Sequence, residues 1–221
     1  MRTRPVAVAL ILGLLPTLCA LRAQSVLKPG DVLLICGDSI TEQKQYSAFI
    51  EDYILMSQPV RDVKTIQVGW GGETARHFAD FWEPVVLAFA PTVATVNFGM
   101  NDGGYDLFRE EMGKGYRDSL AKAIAKFKES GVRTVLISSP GVVDSYYFKN
   151  PKHSDVTAGD YNRTLGRLGD SGRQLALSEG EIFADVHAQM MDTMARVKAV
   201  LGEQYPVAGN QDGVHPLPNG H

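Results

Sequence analysis

Short apolar segments that recur along the whole chain constrain its fold more than any other feature. Five of them stand at residues 32–36, 63–68, 92–98, 132–138 and 182–185. Continuous apolar runs of four to seven residues are typical of strands that are buried on both faces, as they are in parallel sheets. The chain is therefore expected to build its core around a five-stranded parallel sheet.

Segments with helical periodicity separate these strands. They are predicted at residues 46–57, 74–88, 116–129, 160–179 and 188–201. Alternation of strands and helices favours a doubly wound, three-layer α/β domain with helices on both faces of the sheet. We find no internal repeat and no linker that indicates a second domain.

The first 23 residues have the pattern of a secretory signal peptide. Arg2 and Arg4 precede an apolar run at residues 6–15, and small residues lead to Ala23, where we expect cleavage. The run is shorter than the roughly 20 residues that span a bilayer, so no membrane anchor is predicted. A lipoprotein anchor on Cys19 is disfavoured because bulky Leu18 precedes it. The mature protein, residues 24–221, is predicted to be secreted or periplasmic.

Charge and cysteine content exclude several classes of function. The chain has 22 basic and 25 acidic residues, which gives no positive surface for a nucleic-acid partner. Removal of residues 1–23 leaves Cys36 as the single cysteine, which lies in a buried strand and has no partner for an intrachain disulfide. No group of residues has metal-ligand spacing, so neither a metal nor a cofactor is predicted.

Two polar blocks follow the first two strands. Gly37-Asp38-Ser39-Ile40-Thr41 places a serine hydroxyl and its backbone N–H at a strand-to-helix turn. Gly69-Trp70-Gly71-Gly72-Glu73-Thr74 places the N–H of Gly72 at a helix start, where it is a candidate donor to an oxyanion. Each block alone is also ordinary turn chemistry.

Two further blocks complete the set of polar residues near strand ends. Asn101 follows the third strand and offers a side-chain amide donor, and Asp212-Gly213-Val214-His215-Pro216 lies near the end of the chain. A histidine that acts as a general base needs a carboxylate to fix its tautomer, and Gly213 allows Asp212 to fold back onto the ring of His215.

Long connections leave the third and fourth strands at residues 99–115 and 139–159. Ligands of open α/β sheets bind at this edge. The second connection carries Tyr146 and Tyr147, which either line the substrate site or pack against the domain. Asp38 directly precedes Ser39, and Trp70 belongs to the block that carries Gly72. Both are further candidates for lining the substrate site.

In these blocks the chain resembles the SGNH hydrolases, also called GDSL esterases and lipases. Their marker serine, glycine, asparagine and histidine correspond to Ser39, Gly72, Asn101 and His215. The resemblance extends over most of the mature chain and implies a flavodoxin-like sheet of strand order 2-1-3-4-5. It also implies that Ser39 is the nucleophile, His215 the general base and Asp212 the residue that orients it. The N–H groups of Ser39 and Gly72 and the amide of Asn101 would form the oxyanion hole.

Members of this family usually continue after the Asp-x-x-His block with a helix that packs on the sheet. This sequence ends at Asn219-Gly220-His221, so we expect residues 24–221 to be a hydrolase domain that stops short of its last helix.

The substrate expected from the resemblance is a small soluble ester, in particular an acetyl ester on a carbohydrate. A lipase or lysophospholipase of the same fold is the alternative within the family, and a catalytically silent glycan-binding module is the alternative outside it. The oligomeric state is left open.

A second acid and histidine pair competes for the role of the base. Asp185 and His187 follow the fifth strand, but no nucleophile block accompanies them. Asp185 is better explained as the cap of the next helix.

Overall fold

A computed structural model describes residues 26–221 and contains one five-stranded sheet. The strands are β1 (Val32–Gly37), β2 (Lys64–Gly69), β3 (Val93–Asn97), β4 (Thr134–Ser138) and β5 (Ile182–Ala184). All pairings are parallel, and the order is β2-β1-β3-β4-β5. The predicted fold class and strand order are confirmed, and the predicted signal peptide lies outside the described residues.

The register brings the ends of three strands together. Gly37, the last residue of β1, pairs with Gly69 at the end of β2 and with Asn97 at the end of β3. Because parallel strands end at one edge, the polar blocks that follow these strands are neighbours although they are far apart in sequence.

Seven α-helices connect and follow the strands. They are α1 (Ser39–Glu42), α2 (Gln45–Ser57), α3 (Ala75–His77), α4 (Glu83–Leu87), α5 (Glu110–Glu129), α6 (Ala158–Glu179) and α7 (Val186–Leu201). Side chains alternate across the sheet, so Leu34 and Cys36 pack under α5 and α6, whereas Leu33 and Ile35 pack against Ile54 of α2. Cys36 is the buried thiol that the sequence predicts.

Two helices differ from their predicted extents. The helix predicted at residues 74–88 is interrupted by a π-helical turn, Phe78–Trp82. Pro84 follows this turn and has no N–H to donate to the preceding turn of a continuous helix. Proline is tolerated in the first turn of a helix, and Pro84 lies in the first turn of α4. Helix α5 begins at Glu110 rather than at residue 116, because two acidic residues favour its first turn while Gly113 packs against the ring of Phe108.

Within residues 26–221 no helix is long and apolar enough to cross a membrane.

Candidate active site

Ser39 stands at the first position of α1, directly after β1. Asp38 caps this helix, and its Oδ1 accepts a hydrogen bond of 2.9 Å from the N–H of Ile40. The N–H of Ser39 has no acceptor within the helix, as expected for a first-turn donor. The turn therefore presents the Ser39 hydroxyl and its backbone donor together.

Asp38 itself faces the interior. It is 1% exposed and is not among the residues that line the cleft beside Ser39, and its role in lining the substrate site stays a prediction. Its Oδ2 is buried and has no hydrogen-bond partner among the described residues. Desolvation, opposed by the hydrogen bond from Ile40, raises the pKa of Asp38 to about 6.

Because Gly69 has no side chain, α1 can lie directly against the end of β2. A Cβ at Gly69 would stand 2.2 Å from the backbone nitrogen of Glu42, a separation that no other residue permits. The N–H of Trp70 donates to the carbonyl of Gly37 over 3.2 Å. These contacts fix the serine block against the glycine block.

Asn101 is held against the glycine block by its own side chain. Its Nδ2 donates to the carbonyl of Glu73 over 2.9 Å, and Asp102 Oδ1 accepts from the N–H of Ala75 over 3.0 Å. An amide nitrogen carries two donors, so one N–H of Asn101 is left for another acceptor. The N–H of Gly72 has no acceptor among the described residues. Three donors, on Ser39, Gly72 and Asn101, thus belong to three adjoining strand ends.

His215 completes a chain of hydrogen bonds to Ser39. Its Nδ1 lies 2.6 Å from Asp212 Oδ2, and its Nε2 lies 2.7 Å from Ser39 Oγ. An ionised carboxylate only accepts, so Nδ1 carries the proton and Nε2 is the acceptor for the serine hydroxyl. This geometry allows the imidazole to take the hydroxyl proton while the carboxylate stabilises the imidazolium.

Asp212 is held in a tight turn of its own. Its Oδ1 accepts from the N–H groups of Val214 over 2.8 Å and His215 over 3.0 Å. Partial burial alone raises the pKa of Asp212, but the hydrogen bonds from the backbone and ring of His215 outweigh it and lower the pKa below its ordinary value. Asp212 is therefore an ionised partner for the ring at neutral pH.

A buried ion pair fixes the segment that carries this turn. The carboxylate of Asp144 is 0% exposed and lies 2.9 Å from Nζ of Lys198, which is 4% exposed. Asp144 Oδ2 also accepts from the N–H of Val207 over 2.9 Å, and the N–H of Asp144 donates to the carbonyl of Gly213 over 2.7 Å. The β4–α6 connection, α7 and the loop at residues 207–215 are thereby joined at one point.

Gly213 allows the last of these contacts. It has φ +70°, and a Cβ there would stand 2.3 Å from the backbone nitrogen of Phe148. Glycine is therefore required between Asp212 and His215 for the loop to lie on the β4–α6 connection.

The hydroxyl groups of Tyr146 and Tyr147 both contact Gln204, which follows α7. The hydroxyl of Tyr147 donates to the carbonyl of Gln204 over 2.8 Å, and both rings stand about 6 Å from the ammonium of Lys198. Tyr146 is nevertheless 52% exposed, and a role of either ring in lining the substrate site stays a prediction. Trp70 is 57% exposed after β2 and is not among the residues that line the cleft beside Ser39.

The second acid and histidine pair is not joined. Asp185 caps α7 through the N–H of Ala188, as the sequence predicts, and it pairs with Arg173. His187 instead places Nδ1 2.9 Å from the carbonyl of Gly141. Within the described part of the chain, no cluster of ligating side chains could hold a metal ion.

Sequence reasoning missed Asp144, Lys198 and the carbonyl of Glu73. Lys198 follows buried Met194 by four positions and so falls on the buried face of α7. A lysine on an apolar face is a signal for a buried carboxylate, but it does not identify which one.

A cleft of about 440 Å³ opens beside Ser39 and His215. It lies between the α1–α2 junction and the loop that carries Asp212, and its remaining wall is mainly polar. This volume is within the range of small-molecule sites.

The chain thus combines a flavodoxin-like parallel sheet with a hydrogen-bonded chain of Ser39, His215 and Asp212 at its carboxyl edge. The model of the GDSL-like Lipase/Acylhydrolase family matches residues 35–221. The chain belongs to this family and is a carboxylic ester hydrolase of the GDSL or SGNH type.

Similar proteins include an acetylxylan esterase from Geobacillus stearothermophilus. It is 25% identical over 210 residues, which cover 87% of this chain and 89% of the relative. A crystal structure of a catalytic mutant of that esterase superimposes with a TM-score of 0.66 at 23% identity, covering 88% of this chain and 90% of the other. Its catalytic mutants replace a serine, an aspartate or a histidine, and the last two are three positions apart.

A gut microbial diltiazem-metabolizing enzyme has the same fold. Its TM-score is 0.71 at 24% identity, and the match covers 86% of this chain. This chain spans 44% of that protein's length.

Proposed function

We propose that the protein is a serine esterase that removes acetyl groups from carbohydrate, with Ser39, His215 and Asp212 as its catalytic triad. The observation that carries the proposal is the continuous hydrogen-bond chain from Asp212 Oδ2 through the imidazole to Ser39 Oγ, at 2.6 and 2.7 Å. Asp212 and His215 are three positions apart, as are the aspartate and histidine replaced in catalytic mutants of the acetylxylan esterase.

Acylation begins when Nε2 of His215 takes the proton of Ser39 Oγ. The oxygen forms a bond to the acyl carbon, and the carbonyl oxygen becomes an oxyanion that accepts from the N–H groups of Ser39, Gly72 and Asn101. The C–O bond to the alcohol then breaks, and the imidazolium returns its proton to the leaving alkoxide. Asp212 stabilises the imidazolium throughout the step.

Deacylation repeats the sequence with water. His215 takes a proton from the water as its oxygen attacks the acyl carbon, and the second tetrahedral intermediate uses the same three donors. When the bond to Ser39 Oγ breaks, His215 returns the proton to the serine oxygen, and acetic acid leaves and ionises in solution.

The test is release of acetate from acetylated xylan by the wild type and by Ser39→Ala. The variant is expected to lose at least about 10³-fold in kcat because the nucleophile is absent. A fluorophosphonate should form one adduct, on Ser39, detected by peptide mass spectrometry. An adduct elsewhere, or near-normal turnover by the variant, contradicts the assignment.

The two alternatives give different outcomes in the same experiment. A lipase or lysophospholipase would favour long-chain p-nitrophenyl esters over the acetate. A glycan-binding module would turn over no ester but would bind on a glycan array.

We also propose that residues 1–23 are removed on export, which the arginines and short apolar run of this segment support. N-terminal sequencing of protein recovered from the periplasm or medium should begin near Gln24. Recovery of the intact N-terminus there would contradict the proposal.

A further inference from the structure

Four carboxamide side chains line the cleft beside Ser39. Gln43 and Gln45 lie on one wall, at the junction of α1 and α2, and Asn210 and Gln211 lie on the other, directly before Asp212. Both walls are therefore attached to segments that carry the proposed triad.

These amides are largely free of contacts within the protein. Asn210 and Gln211 are exposed, and among residues 26–221 the Oε1 of Gln45 is buried without a hydrogen-bond partner. Gln43 Oε1 has a single long contact, of 3.3 Å, to His221.

The charge of the cleft limits what it can bind. Apart from His215, its ionisable side chains are the carboxylates of Glu42 and Asp212, and no lysine or arginine is among the described residues that line it. An anionic head group would meet like charge without a cation to offset it. Neutral groups that both donate and accept hydrogen bonds match the amides.

The position of the cleft relative to the donors identifies which part of an ester it faces. Ser39 and His215 line it, whereas Gly72 and Asn101 do not. The proton for the leaving alkoxide comes from Nε2 of His215, so the alcohol portion must lie on the histidine side of the nucleophile. The oxyanion donors lie on the side of β2 and β3.

We propose that this cleft is the alcohol-side subsite, and that Gln43, Gln45, Asn210 and Gln211 bind hydroxyl groups of a neutral sugar whose acetyl ester is hydrolysed. The inference rests on the proposed esterase function and adds the residues that select its substrate. A hydroxyl both donates and accepts, so it pairs with either end of a carboxamide.

The experiment compares two acetyl esters with different alcohols, methyl 2-O-acetyl-β-D-xylopyranoside, which keeps the free hydroxyl groups on C3 and C4, and p-nitrophenyl acetate. Wild type, Gln43→Ala, Asn210→Ala and the double variant are assayed on both. The ratio of kcat/KM for the sugar ester to that for the aryl ester is expected to fall about 2- to 10-fold in each single variant, the effect of losing one neutral hydrogen bond. The fall should be larger in the double variant and should appear mainly in KM for the sugar.

Gln174→Ala is the matched control, because this glutamine is exposed on α6 and lies outside the cleft. Its ratio should equal that of the wild type.

The failures of the two proposals are distinguishable. If the wild type hydrolyses p-nitrophenyl acetate but releases no acetate from the sugar, the carbohydrate substrate is wrong. If it hydrolyses both and the double variant keeps the wild-type ratio, the substrate stands and the subsite is wrong. An equal fall in Gln174→Ala would also overturn the subsite.

Discussion

The two halves of the proposed site are held in place by different means. Ser39, Gly72 and Asn101 follow three adjacent strands, whose backbones pair in register up to Gly37 and Asn97. Asp212 and His215 lie on a loop outside any helix or strand, and its backbone is hydrogen-bonded to Asp144, the buried partner of Lys198.

This difference predicts how each half responds to change. Pairing between strands distributes stability over many backbone bonds, each of which contributes little. The loop is held by a few bonds that converge on Asp144 and by the burial of Val207, Ala208 and Val214. Substitutions in the strand-end half should alter chemistry without moving the backbone, whereas a remote substitution can displace the loop half.

The largest effect is expected in the loop half, from His215→Ala. Loss of the base should reduce kcat on p-nitrophenyl acetate by at least about 10³-fold. Asp212→Asn should also reduce kcat strongly, and the double variant should be scarcely worse than His215→Ala, since residues that act as one unit are not additive.

His187→Ala provides the control, because this histidine contacts Gly141 rather than Ser39. It should keep most of its activity and lose only thermal stability. In a plot of kcat/KM against pH, the decrease toward low pH that the wild type shows should also be absent from the residual activity of His215→Ala. If stably folded His187→Ala loses turnover while His215→Ala stays active, the general base is His187, which follows β5, and not His215.

The next effect is expected in the strand-end half, from Asn101→Ala. Removal of one oxyanion donor should cost about 10² to 10³ in kcat, with a smaller change in KM. The melting temperature should change little, since one hydrogen bond to the carbonyl of Glu73 is lost. A rise in KM with kcat unchanged would show that Asn101 is not a donor in the oxyanion hole.

A smaller effect on activity, with a large effect on stability, is expected from Asp144→Asn. The neutral amide leaves Lys198 buried without its counter-charge, which costs about 3–5 kcal/mol in comparable pairs. Displacement of the loop by about 1 Å should lower kcat about 10- to 100-fold well below the melting temperature.

Arg133→Ala is the comparison variant for this prediction. It breaks the pair between Arg133 and buried Asp31 at the opposite edge of the sheet. The melting temperature should fall while kcat of the folded enzyme stays near wild type. Equal losses of kcat in both variants would mean that the ion pair of Asp144 and Lys198 does not position the loop that carries the triad.

Sequence patterns predicted the strand-end half well because its determinants are local. Each of the first three apolar runs ends at a polar block, and the parallel sheet then brings Ser39, Gly72 and Asn101 to one edge. The contact of Asp212 with His215 was also predictable, since the two residues are three positions apart.

The support of the loop was not predictable from the same patterns. Asp144 and Lys198 are 54 positions apart, and their pairing depends on how α7 packs. The burial of Asp38 was missed for a related reason, since its capping bond is local but its depth under α1 is set by tertiary packing.

The smallest effect is expected from Asp38→Asn and concerns pH. Burial raises the pKa of Asp38 to about 6 from an ordinary value of 3.8. The folded state therefore favours the protonated form, and the free energy of unfolding contributed by this group falls as the pH rises through 6.

Asparagine keeps the helix cap and carries no charge to bury. The variant should melt a few degrees above wild type at pH 8 and show no such gain at pH 4, measured by calorimetry. A gain of equal size at both pH values would show that titration of Asp38 is not its cause.

The Asp144 junction also sets an order of events in time. Ser39 and His215 are 176 residues apart, and the loop between Val207 and His215 can dock only after the β4–α6 connection and α7 have formed their surface. Contacts with such long sequence separation close late, because their loop-closure entropy is offset only when the surrounding structure is in place. During refolding, helical circular dichroism should therefore recover before esterase activity, and the delay between the two signals reports when this loop docks.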